Sequence, residues 1–161
     1  MPILTPMSES AFKQFKADSV VGYAEQNVLS GRWPADGALE RSAAEYEKLL
    51  PQGLATPDNY IFAVHSADDD GVVGALWLGV VERAGVRMAY VFDILIQEPF
   101  RQKGHARRAF KALERFVESL GLATIGLHVF TYNTAARALY ESLGYATTSV
   151  NMHKQLGPSC N

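Results

Sequence analysis

The sequence predicts an α+β (mixed α/β) fold. Three observations carry this expectation. Strand-length apolar runs and amphipathic helical stretches mix along the chain without strict alternation. One nearly continuous apolar run, Arg87 to Ile96, is followed by a glycine-bearing basic loop that opens a long amphipathic helix. At 161 residues, 48% hydrophobic and 20% charged, the chain has the size and balance of one globular domain.

The elements follow in order. Ser8 to Ser30 reads as a helix, capped by Ser8, with Phe12, Phe15, Val20, Tyr23 and Val28 at roughly helical spacing. Gly31-Arg32-Trp33-Pro34 breaks it. A second helix follows Asp36 through Leu39, Ala43, Tyr46 and Leu50, and Pro51-Gln52-Gly53 stops it. Tyr60 to His65 reads as a strand, Ser66 to Gly71 as an aspartate-rich turn, and Val72 to Val81 as a second strand. After the hairpin turn Glu82-Arg83-Ala84-Gly85, Arg87 to Ile96 is a third strand. Its apolar continuity predicts a central place, and Asp93 is its one interior charge. The helix that follows runs to about Leu120 with a stripe of Ala109, Ala112, Leu113, Phe116, Val117 and Leu120, and Gly121 ends it. Thr124 to Phe130 is a fourth strand, Asn133 to Leu143 a short helix, and Tyr145 to His153 a last strand. With no repeat and no low-complexity linker, a single domain over residues 1–161 is expected.

Composition excludes several classes. No stretch approaches 18 uninterrupted apolar residues, so no membrane span is expected. The start lacks the basic and apolar regions of a secretory signal. The single cysteine, Cys160, cannot form an internal bridge, which fits a reducing compartment and a cytoplasmic location. A net charge of −2 argues against a nucleic-acid partner. His65, His105, His128 and His153 show no ligand spacing with Cys160, so no metal is expected. Asp68-Asp69-Asp70 lacks the spacing of a calcium loop, and no G-x-S-x-G nucleophile elbow occurs.

Charge is nonetheless uneven. Residues 1–60 hold five Lys/Arg and eight Asp/Glu, a balance of −3, whereas residues 97–161 hold eight and four, a balance of +4. Half of the basic residues in the second segment are Arg101, Lys103, Arg107 and Arg108, at the start of the long helix. A helix start presents unpaired N–H groups and a partial positive charge, so this loop is suited to an anion. It is neither a P-loop nor a dinucleotide fingerprint. On these residues alone, an ordinary basic helix start stays open.

Arg101-Gln102-Lys103-Gly104-His105-Ala106 has the spacing [Q/R]-x-x-G-x-[G/A], and Asn133 to Tyr145 has N-x-x-A-x-x-L-Y-x-x-x-G-[FY]. In these two segments the chain resembles the GNAT superfamily of acyl-CoA-dependent N-acyltransferases, over about Arg87 to Leu156. Residues 1–60 carry none of its motifs. The resemblance implies the GNAT fold, a mostly antiparallel central sheet with a splayed parallel strand pair and flanking helices. It implies acetyl-CoA as co-substrate, its pyrophosphate on backbone N–H groups among Gln102, Lys103, Gly104, His105, Ala106 and Arg107. The pantetheine arm would follow Ile94, Leu95 and Ile96, which splay from the strand containing His128, and would meet Asn133. A backbone N–H there would polarise the thioester carbonyl.

Tyr140 matches the tyrosine that protonates the departing thiolate. By spacing alone it also belongs to a helical stripe with Ala136, Leu139 and Leu143 and reads as a core aromatic. The acceptor amine must attack neutral. At pH 7 deprotonation costs about 4–5 kcal/mol for a lysine-like amine and about 1 kcal/mol for an α-amino group. A general base is therefore expected. His128 is the first candidate, opposite in direction to Leu127 and Val129, where ribosomal-protein N-terminal acetyltransferases carry a glutamate. Asp93 is the second. A hydrogen-bonded structural role is the alternative for each.

The expected reaction is direct attack of a primary amine, on a small molecule or a peptide N-terminus, with no covalent enzyme intermediate. Trp33, Tyr23 and Tyr60 are the expected acceptor walls, and Glu25, Asp36, Glu40 and Glu45 either attract a cationic amine or form a solvated helix face. A homodimer is left open. The competing readings are a non-catalytic acyl-CoA-binding or regulatory module on the same fold, and an interaction domain whose basic helix start binds phosphate incidentally.

Overall fold

A computed structural model describes residues 2–158, so Cys160 lies outside the described residues. The chain forms two compact units, 1–130 and 131–161. The first holds a five-stranded sheet in simple sequential order. Its strands are β1 (Leu4–Pro6), β2 (Asn59–His65), β3 (Val72–Arg83), β4 (Val86–Ile96) and β5 (Ile125–Leu127). Neighbours pair antiparallel except β4 and β5, which pair parallel. The helices of this unit are α1 (Glu9–Leu29), α2 (Ala38–Leu49) and α3 (His105–Ser119).

Local chemistry sets the boundaries. Ser8 Oγ accepts the Ala11 amide and caps α1. At its other end Arg32 N bonds Asn27 O and Gly31 N bonds Val28 O, the Schellman pattern, with Gly31 left-handed. The β3–β4 hairpin turns on Ala84 and Gly85, both at positive φ, as a two-residue turn requires.

Alternation along the strands builds two cores. On one face Ile61, Ala75 and Trp77 pack with Phe12, Phe15, Tyr46 and Leu50 from α1, α2 and the end of α2. On the other, Tyr60 and Phe62 meet Phe116 of α3 edge-on. Phe110, Leu113 and Val117 of that helix are fully buried or nearly so. Tyr60 therefore stands on the opposite face of the sheet from Tyr23 and Trp33 and is no wall of a shared acceptor site. Period-two alternation along β2 puts it there.

Two other features of this unit depart from expectation. The N-terminal β1 was not foreseen, because its three residues form a strand only by pairing with Phe62–Val64. The fourth strand stops at Leu127, so His128 follows it and is not part of it. The β4 strand is interior, between β3 and β5, as its apolar continuity predicts.

The second unit holds α4 (Thr134–Ser142). Asn133 Oδ1 caps it by accepting from the Ala136 amide at 3.4 Å. Tyr145 N bonds Tyr140 O and Gly144 N bonds Glu141 O, again the Schellman pattern, with Gly144 at φ 96°. The Tyr140 and Tyr145 rings meet 6.0 Å apart across this cap. No strand forms over Tyr145–His153. Val150 and Met152, its alternate apolar residues, are exposed, and alternation without a ladder does not hold a strand.

Candidate active site

The first part of the site is built by β4. Trp77 pairs with Asp93 and Leu78 with Val91, so Phe92 is an extra residue, a β-bulge. Val91 lies on the α3 face with Leu78. Strict alternation would put Asp93 there as well. The bulge returns Asp93 to the face of Trp77, on which Phe92 stacks at 4.6 Å. Pairing with β5 ends at Val91–Leu127, and the following residues to Ile96 have no register partner on that side. Gln97 N bonds Val73 O, so by antiparallel alternation the amides of Ile96 and Ile94 point away from β3, and that of Ile94 bonds the Asp93 carboxylate.

A loop joins β4 to α3. Glu98–Phe100 form a 3₁₀ turn, and Arg101 Nε donates to Ile96 O at 2.8 Å. Gln102 and Gly104 are both left-handed. Gly104 is the N-cap of α3 and offers no side-chain acceptor, and the first helical bond is Arg108 N to Gly104 O at 3.1 Å. The amides of His105 and Ala106 thus lack intrahelical partners. Arg108 braces the turn, its Nη2 donating to Lys103 O and His105 Nδ1, each at 3.0 Å. The His105 side chain is buried against Phe100, so only its backbone can serve the loop.

Asp93 faces α1, on the face of the sheet that carries Trp77. Ser19 Oγ of α1 donates to its Oδ2 at 3.1 Å. Burial pushes its carboxyl above the usual range, while the bonds from Ser19 and the Ile94 amide pull it down. Tyr46 of α2 is raised by its own burial and next by the Asp93 charge. From Tyr46 a run of rings leads outward: Tyr23 at 6.1 Å, then Trp33 at 5.3 Å from Tyr23, with the Arg41 guanidinium 5.4 Å above Trp33.

His128 directly follows β5. It is exposed and edge-on to Phe130 at 4.8 Å. Partial desolvation, and then the charge of Arg32, hold its imidazole below the ordinary value. Asp93, Ile94–Ile96, Gln102–Arg107 and His128 belong to the first unit, and Asn133 and Tyr140 to the second. Sequence reasoning missed Ser19, Tyr46 and Arg32. A serine on the inward stripe of α1 was the readable signal for the first. Among the described residues no group of three His, Cys, Asp or Glu is placed to hold a metal, and no helix is long and apolar enough to cross a membrane.

The family model described as "Acetyltransferase (GNAT) family" matches residues 19–145. The chain is 35% identical over 154 residues to the uncharacterized N-acetyltransferase YycN of Bacillus subtilis, covering 96% of this chain and 98% of that one. A crystal structure of YycN superposes with a TM-score of 0.89 over 96% of this chain and 98% of that one. A [ribosomal protein bS18]-alanine N-acetyltransferase of Salmonella typhimurium is 30% identical over 93 residues, 58% of this chain and 60% of its own length.

Proposed function

This chain belongs to the acetyltransferase (GNAT) family, and from that premise we propose that it moves an acetyl group from acetyl-CoA to a primary amine. The observation that carries the proposal is the start of α3, which has no side-chain cap, set at the end of a strand whose Ile96 amide points away from β3. Amides between Gln102 and Arg107 take the pyrophosphate, with Lys103 and Arg107 supplying attraction. Ile94, Leu95 and Ile96 pair with the pantetheine arm, and Asn133 meets it as the family motif implies. An amide on this strand polarises the thioester carbonyl.

The amine nitrogen attacks the carbonyl carbon, a C–N bond forms and the C–S bond breaks. Tyr140 gives its hydroxyl proton to the leaving thiolate, and a base takes the proton lost by the amine. The products are an amide and free CoA. Asp93 is the base this geometry supports best. It directly precedes the carbonyl-polarising run, and its raised carboxyl brings it nearer the working range of a base. His128 is the second reading, favoured by a lowered imidazole that is neutral and able to accept a proton at pH 7. A cytoplasmic location and an acceptor carried on a small molecule or peptide N-terminus complete the reading. The likeness to the bS18-alanine enzyme supports the peptide N-terminus.

A screen of acetyl-CoA turnover over diverse amines tests this. Transfer is expected with at least one, falling about 10²-fold or more in Tyr140→Phe with acetyl-CoA binding retained. Acetyl-CoA binding with no turnover on any amine would establish the non-catalytic module instead. The acidic limb of the pH–rate profile should disappear in Asp93→Ala; its loss only in His128→Ala would transfer the base to the imidazole.

A further inference from the structure

We infer that Ser19 is a positioning residue that holds the Asp93 carboxylate ionised and in one orientation for the acceptor. This rests on the reading of Asp93 as the base.

The geometry is specific. Ser19 lies mid-helix in α1, 8% exposed, on the inward stripe that also carries Phe12 and Phe15. An alanine there would favour the helix and bury no hydroxyl. A mid-helix serine ordinarily bonds a carbonyl one turn back in its own helix. Ser19 instead donates across 74 positions of sequence to Asp93 Oδ2. The carboxylate reaches this hydroxyl only because the Phe92 bulge turns it toward α1. Helix position and strand irregularity, two independent features, converge on a single hydrogen bond.

The bond does chemical work. An ionised carboxylate has about four acceptor sites, and Ser19 and the Ile94 amide occupy two. The others are left for the amine proton. Across from it β3 presents the indole of Trp77, a neutral ring. From α2 the facing titratable group is Tyr46, with Tyr23 of α1 beside it. Ser19 is thus the side-chain donor that offsets the burial of the charge.

The test titrates the full-length protein, without ligand, by ¹³C NMR of labelled aspartate carboxyls, the Asp93 signal being assigned through Asp93→Asn. Ser19→Ala should move the Asp93 midpoint upward by about one pH unit, because it removes a donor to the charged form. Ser19→Thr, which keeps the hydroxyl, should restore it, and Ser19→Cys, a weaker donor, should fall between. An Asp93 midpoint unchanged in both Ser19→Ala and Ser19→Cys overturns the inference and leaves Ser19 a packing residue. A kinetic arm uses acetyl-CoA and the amine of highest turnover in the screen above. There the acidic limb of Ser19→Ala should follow the NMR midpoint, with kcat/KM about tenfold lower below the limb and unchanged above it. If the midpoint moves and the limb does not, Asp93 is not the base while its control by Ser19 stands.

Discussion

Replacing glycine by alanine at two positions of the first unit should change stability in opposite directions. At Gly74, in β3, an added Cβ would lie 2.1 Å from the Leu95 carbonyl oxygen and 3.1 Å from Ile96 Cα. Carbon–oxygen contacts settle at about 3.3 Å or more, so the two strands must part by about 1 Å. These two obstacles are backbone, and of the nearest neighbours only Ile96 Cδ1, at 3.0 Å, belongs to a side chain that can swing aside. Overpacking of this kind costs about 1–3 kcal/mol. Weakening the adjacent Gln97–Val73 bond adds about 1 kcal/mol. At Gly22, inside α1, an added Cβ meets nothing within 4 Å. Alanine should there stabilise by about 1 kcal/mol through helix propensity. For a chain of this length 1 kcal/mol corresponds to about 2–4 °C in Tm. Gly74→Ala should therefore melt roughly 4–16 °C lower and Gly22→Ala about 2–4 °C higher, as measured by circular dichroism and confirmed by urea midpoints. Gly74→Ala melting within 2 °C of the parent would refute the close approach of β3 and β4 at this position.

Other outcomes follow from the same geometry. Gly104→Ala forces a side chain into a left-handed residue at φ 80°, with Arg108 Nη1 3.2 Å from the new Cβ. The strain, about 1–2 kcal/mol, should appear as a Tm lower by about 2–8 °C in thermal melts followed by circular dichroism. Asp93 has a carboxyl raised by burial, so it binds its proton more tightly folded than unfolded. The stability linked to that proton is complete below the unfolded carboxyl range and is lost as pH rises through the folded midpoint. Asp93→Asn should remove this fall from a plot of unfolding free energy against pH. His128 has the opposite sign. Its contribution is present above the unfolded imidazole value and lost as pH falls through the folded one, so His128→Gln should flatten stability on the acid side.

Much of the donor half was legible before any coordinates. The basic loop, Gly104 and the amphipathic helix are neighbours in sequence, and local rules of capping and periodicity suffice to read them. The second family segment also has a local cause. Its Tyr-x-x-x-Gly-Tyr spacing is the hydrogen-bond pattern of a Schellman cap, with Tyr140 and Tyr145 packed across Gly144. The acceptor half was read less well. Tyr60 does not join Tyr23 and Trp33 as expected, and His128 lies beyond the strand expected to hold it, because strand faces and strand ends are set by partners far along the chain.

By itself the sequence determined the helices, the Ser8 cap, the hairpin, the family, and the set of candidate residues. Tertiary structure alone decided where Asp93 points. A one-residue bulge at Phe92 reverses the face of every following side chain, and nothing in Val91-Phe92-Asp93 announces it. The bulge exists in the pairing of β4 with β3, and its chemical consequence lies in a serine 74 residues away.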